Sequence, residues 1–153
     1  MSIATAGWSE VSGIGLHEGA AGPGWDHEPD IGPSPLILSV LLRQILTGRS
    51  EGRLWVGEWD GWGDRKRPAG SRPLTVPGRR YHVTATSPRE LLTGLDRDRL
   101  PDVVWDEAGT FIILADIDLP STVVGCQKGI TEGLLRNPNL EAVRVDGGAP
   151  IVT

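Results

Sequence analysis

Asp116 and Asp118 are the first residues in this chain whose type and spacing could do chemistry. Residues two apart on a strand share a face. Two carboxylates so placed can ligate a divalent cation or work as an acid–base pair. The competing role is structural, because a hard cation needs further oxygen ligands that the spacing does not supply, and an Asp ahead of Pro120 is a common turn residue. Ser121 and Thr122 follow closely, but a hydroxyl nucleophile needs a base within hydrogen-bond reach. His17, His27 and His82 are scattered in no catalytic spacing and read as surface or packing residues. One Cys and three dispersed His make no zinc pattern. Cys126 precedes a predicted helix, whose N-terminus would lower its thiol pKa, although a lone Cys at such a junction is more often buried. Gly13-Ile14-Gly15 lacks the strand-to-helix setting of a phosphate-binding turn. No cofactor and no metal are expected.

The second candidate is aromatic. Three of the six Trp fall in the run Leu54-Trp55-Val56-Gly57-Glu58-Trp59-Asp60-Gly61-Trp62-Gly63-Asp64, in a chain with one Tyr and one Phe. As a strand and turn, the run puts Trp55 and Trp59 on one face, with Val56 and Glu58 on the other. The rings could stack on a sugar, a base or a cation while Glu58, Asp60 and Asp64 accept hydrogen bonds. The alternative is packing, with Trp55 and Trp59 lying on the first helix and the glycines closing the turn; Trp62 is then the ring expected to be exposed. Arg65, Lys66, Arg67, Arg72, Arg79 and Arg80 follow as a basic stretch. The candidate binding residues are therefore Trp59, Asp60, Trp62, Asp64, Arg65 and Arg67, together with Asp116 and Asp118.

Composition limits what these residues could serve. A net charge of -5 argues against bulk attraction to nucleic acid or to an anionic membrane. The longest apolar segment, residues 35–42, is too short to span a bilayer. A single Cys permits no intrachain disulfide, which fits a reducing compartment. With no signal-peptide pattern at the N-terminus, a cytoplasmic protein is expected. At 153 residues, the chain has the size of one domain. Charge is unevenly spread: residues 1–42 carry no Lys or Arg, the basic stretch follows, and the C-terminal third is acidic.

The elements that must position these side chains are short, as 21 Gly and 12 Pro imply. Residues 1–33 are rich in Gly and Pro, with Trp8 and Trp25 as isolated anchors. They read as a segment lying on the domain, with a short strand near residues 14–16. Ser34-Pro35 opens a helix that Gly48 stops. Strands are expected over residues 53–59, 74–76 and 81–86. Ser87-Pro88-Arg89-Glu90 is a capping box for a helix running to Gly94. Residues 102–105, 110–117 and 121–126 read as strands, the last two as hairpin neighbours. A third helix follows over 127–136, and a final strand over 140–145. Short connections between sequential strands favour a single α+β domain, a mainly antiparallel sheet with about three helices packed on one face. The domain is expected over residues 34–146, with a tail at 147–153.

Two motifs carry a resemblance. Trp59-Asp60-Gly61-Trp62-Gly63 after a strand is similar to part of a family of small actinobacterial proteins. So is the segment from Asp116 through Ile117-Asp118-Leu119-Pro120-Ser121-Thr122-Val123-Val124 to Gly125, with Asn137-Pro138-Asn139-Leu140-Glu141-Ala142 after the next helix. The resemblance covers roughly residues 34–145 and has no established activity attached, so it supports the domain boundaries and implies no catalytic residues. The basic loop at 65–72 reads as a local elaboration. With no catalytic constellation, an acidic balance, and Trp and Arg gathered at one turn, the expectation is a non-enzymatic binding module. Its partner is another protein: a toxin, as for an immunity or antitoxin-like protein, or a second copy of itself. The alternative is a small enzyme or binder acting on a small polar ligand such as a sugar, at an Asp116/Asp118 pocket near the Trp turn.

Overall fold

The computed structural model describes residues 2–4, 34–49, 51–63, 66–95, 100–116 and 121–145. These residues form three helices and eight strands: β1 (Ser2–Ala4), α1 (Pro35–Leu46), β2 (Leu54–Trp59), β3 (Arg72–Val76), β4 (Arg79–Thr86), α2 (Pro88–Thr93), β5 (Val103–Asp106), β6 (Phe111–Leu114), β7 (Val123–Cys126), α3 (Lys128–Leu135) and β8 (Val143–Val145). All strands join one sheet in the order β3-β4-β2-β5-β6-β7-β1-β8. Every pairing is antiparallel. The class is α+β with a wholly antiparallel sheet among the described residues.

Local signals account for the helices. Ser34 caps α1 by accepting from the Ile37 N–H, and Pro35 occupies the first turn. Beyond the helix Gly48 takes φ +80°, a left-handed conformation that suits glycine. Ser87 and Glu90 cap α2 reciprocally: the Glu90 N–H donates to Ser87 Oγ at 3.2 Å, and the Ser87 N–H donates to Glu90 Oε2 at 2.9 Å. No side chain caps α3.

Strands form within or overlapping the expected ranges from 53 onward, but those expected over 110–117 and 140–145 shorten to Phe111–Leu114 and Val143–Val145, and one more appears. Ser2–Ala4, within the segment expected to lie on the domain, forms a strand between β7 and β8. Three residues are too few to show a periodicity, and their partners are distant in sequence. The strand expected near residues 14–16 lies outside the described residues.

Two apolar clusters follow from strand alternation. The larger joins Leu38, Leu42, Ile45 and Leu46 of α1, Leu91 of α2 and Leu134 of α3 to Leu54, Val104, Phe111, Ile113 and Val124 of the sheet. The smaller holds Tyr81, Val83 and Val103, with Trp55, Trp59, Trp105 and Leu114 packed against them. Trp55 and Trp59 thus share a face as expected, but that face carries the smaller cluster and not α1. The register explains why. Trp55 pairs with Ala85 and Trp105, and Gly57 with Val83 and Val103, so the odd-numbered residues of β2 meet the odd-numbered residues of β4 and β5. Leu54 and Val56, at the alternate positions, are left to the core beneath α1.

Candidate functional site

The Trp turn is built from the inside. The Trp59 N–H donates to Asp102 Oδ2 at 2.7 Å, and Trp62 Nε1 donates to both oxygens of Asp102 at 3.2 Å. Asp102 itself is 3% exposed. The Trp62 ring meets the Trp59 ring edge-on, with centroids 5.9 Å apart. Trp59 lies so close over Gly61 that a Cβ there would fall 2.2 Å from ring carbon Cζ2. Glycine at 61 is therefore a requirement of the turn. Trp62, expected to be exposed, is instead half-buried and tethered.

On one side of this turn Asp60 organises a polar cluster. The ladder of β2 with β4 continues one step past Trp59, because the Asp60 N–H donates to the Arg80 carbonyl at 2.9 Å. Arg80 Nε donates to Asp60 Oδ2 at 2.6 Å, and Arg80 Nη2 donates to the same oxygen. His82 Nε2 bonds the other oxygen, Oδ1. The hydrogen bond from Arg80, then that with His82, holds the Asp60 carboxyl below the usual Asp range. His82 is 6% exposed, and its Nδ1 is buried with no hydrogen-bond partner. Beside the cluster lies a cavity of about 240 Å³ lined by Glu58, Trp59, Asp60, Trp62, Lys66, Arg67, Pro68 and His82.

On the other side the Arg79 guanidinium sits 4.6 Å from the Trp59 ring centroid, within cation–π range. It also grips Asp116 with two hydrogen bonds, Nη2 to Oδ1 at 2.8 Å and Nε to Oδ2 at 3.3 Å. Asp116 is thereby held in an ion pair with Arg79. Beyond the pair, the sheet face carrying the smaller cluster forms a concavity of about 790 Å³, lined by Leu74, Val76, Tyr81, Trp105, Ile112, Leu114 and the Arg79–Asp116 pair among others.

The sequence-derived candidates therefore divide. Trp59, Asp60, Trp62 and Arg67 come together at the polar cavity, and Asp116 borders the apolar concavity. Asp64, Arg65 and Asp118 lie outside the described residues, as do His17, His27, Trp8 and Trp25. Cys126 is half-buried, with Sγ 3.3 Å from Thr131 Oγ1. Among the described residues no group of His, Cys, Asp and Glu is placed to hold a metal ion. The sequence reading named Lys66 and Arg80 only within the basic stretch, took His82 as a surface or packing residue, and missed Asp102. The link of His82 to Glu58 was findable, since it lies on the predicted strand 81–86, whose antiparallel return sets it beside the strand 53–59; Arg80 lies just ahead of that predicted strand, which in the structure begins at Arg79. Asp102 was not findable, because its partners are 40 and 43 residues away.

No helix among the described residues is long and apolar enough to cross a membrane. Comparison of the chain with protein families, with curated proteins and with solved structures finds no match in any of the three.

Proposed function

We propose that the protein is a non-enzymatic, cytoplasmic binding module for another protein, docking it on the sheet face that carries Leu74, Val76, Trp105 and Ile112. In this reading α1, α2 and α3 all pack on the opposite face. The observation that carries the reading is the aliphatic exposure around the concavity: Ile112 is 47% exposed, and Leu74 and Val76 are each 37% exposed. Contiguous exposed apolar surface rimmed by charge is characteristic of a protein-binding site. Its neighbours in the smaller cluster come from strands alone among the described residues. The Arg79–Asp116 pair, braced against Trp59, supplies an ordered charged rim of the kind that fixes orientation more than affinity.

The net charge of -5 selects a basic partner, as an immunity or antitoxin-like protein would have in its toxin. The enzyme alternative at Asp116 and Asp118 loses ground, because Arg79 occupies both oxygens of Asp116. The test compares wild type with an Ile112→Asp, Leu74→Asp double variant. The expected result is a basic protein recovered from the native host that rebinds with one-to-one stoichiometry when both are purified. Its dissociation constant weakens by about a hundredfold or more in the variant, as for central apolar anchors. A partner that binds the variant equally well overturns the assigned face. A wild-type dimer by light scattering that the variant converts to a monomer overturns the reading in favour of self-association.

A further inference from the structure

Glu58, Lys66 and Arg67 line the same cavity, and none has an ion-pair partner among the described residues. The register places Glu58 directly opposite His82, so their side chains stand side by side on one face of the sheet. The next rung holds Asp60 and Arg80, paired with each other. That pair cancels its own charge. One negative charge from Glu58 and two positive charges from Lys66 and Arg67 then leave the lining at +1 among the described residues.

The hydrogen-bonding inventory narrows the occupant further. Asp60 can only accept, so in the neutral ring His82 Nε2 carries the proton and Nδ1 is left as an acceptor. That acceptor is itself buried, so the acceptor that the cavity offers a ligand is Glu58. The Glu58 carboxylate, the two cations and the indoles of Trp59 and Trp62 in one lining make a complementary set. It calls for hydroxyl donors, an anionic oxygen group, and a body that can lie against an aromatic ring.

We infer that the cavity bounded by Glu58, Asp60, His82, Lys66 and Arg67 is a binding site for a small hydroxyl-bearing anion of the sugar phosphate or sugar acid class. The anionic group lies between Lys66 and Arg67, and sugar hydroxyls donate to Glu58. A zwitterion such as an amino acid would leave the +1 charge of the lining uncompensated, whereas a net anion neutralises it. The cavity of about 240 Å³ is suited to a ligand of this size and not to a polymer. The site is separate from the apolar face and does not depend on it.

The test uses purified full-length protein and the intrinsic fluorescence of its Trp residues, with calorimetry as a second readout. Four probes are titrated at low salt: glucose 6-phosphate, glucose, inorganic phosphate and alanine. The expected result is saturable binding of glucose 6-phosphate, at least about tenfold tighter than any other probe, since each lost set of charge-assisted bonds weakens binding by that order. Lys66→Ala with Arg67→Ala, both at exposed positions, weakens glucose 6-phosphate by about tenfold or more. Glu58→Gln weakens it while leaving inorganic phosphate unchanged. Inorganic phosphate binding as tightly as glucose 6-phosphate overturns the hydroxyl half of the proposal. Preference for glucose or alanine overturns the anionic half, and no binding of any probe overturns the site.

Discussion

Asp102, which lies just before β5, anchors the Trp turn although it is no part of it. It receives the Trp59 N–H at 2.7 Å and the Trp62 indole N–H at 3.2 Å while itself 3% exposed. Removing it leaves two donors without an acceptor in a nearly dry site, at about 1–3 kcal/mol for each orphaned group. Asp102→Ala is therefore expected to lower the unfolding free energy by at least about 2 kcal/mol, read from the urea midpoint. Asp102→Asn keeps one acceptor oxygen and is expected to lose less. If the alanine variant unfolds at the wild-type midpoint, solvent replaces the carboxylate and the turn is not anchored this way. Gly61 marks the opposite limit, where one added methyl group must displace an indole ring. Gly61→Ala is expected to cost about 1–3 kcal/mol through overpacking, with a shift in Trp emission that reports the moved ring. At this scale the turn chemistry of Asp60-Gly61-Trp62-Gly63 was legible, because glycine and a short polar side chain are local signals. The tether was not, because nothing near Trp62 in the chain announces a carboxylate 40 residues away.

Among the elements, the helices were more legible than the sheet, for a reason visible in α2 and β2. The capping box of α2 is closed within four residues, and both of its arms form as the motif predicts. Ser87→Ala removes one arm, with an expected loss of about 1 kcal/mol, checked by thermal or urea unfolding. β2 shows what local pattern leaves open. Alternation places Trp55 and Trp59 together, yet which face meets a helix depends on the register with β4 and β5, and no residue within β2 encodes that. Gly57 records the outcome. It sits between the two Trp on the same face, and a Cβ there would lie 2.4 Å from Val103 Cγ1 and 3.5 Å from Tyr81 Cβ. The absent side chain lets Val103 cross the strand and close the smaller cluster. Gly57→Ala gains in strand propensity, but the overlap opposes it. The expected net effect is a loss of about 1–3 kcal/mol, and a variant as stable as wild type would mean that Val103 has an alternative rotamer at no cost.

For the whole molecule, the two faces and two edges of the sheet divide the roles. The core beneath α1 gives stability, the opposite face is the one proposed above to take a partner, and the edges are discouraged from pairing. β3 is exposed along its length and carries Arg72 and Pro73, while β8 carries Arg144, the kinds of residue that deter edge-to-edge association. Over this frame lies an acidic chain whose carboxylates are used structurally, and that sets how it responds to acid. Arg80 and His82 hold the Asp60 carboxyl below the ordinary value of 3.8. For Asp106 burial pushes upward, but the Thr110 hydroxyl, the Phe111 and Thr110 N–H groups and Arg49 outweigh it and bring the net shift below 3.8. Glu90, bonded by the Ser87 N–H and hydroxyl and by Thr86, lies below its ordinary 4.5. A folded-state pKa below the unfolded one means that the unfolded chain takes up protons first. Each such group therefore stabilises the fold fully above its unfolded value, and the contribution is lost as pH falls through the folded value. The melting temperature is expected to decline once pH drops through 4.5 and then 3.8, with no corresponding gain on the alkaline side from these groups. Asp106→Asn removes the buried member of the set, so it should lower the melting temperature near neutrality and flatten the decline below pH 3.8. A parallel decline in the variant, displaced but equally steep, would assign the acid sensitivity to other carboxylates.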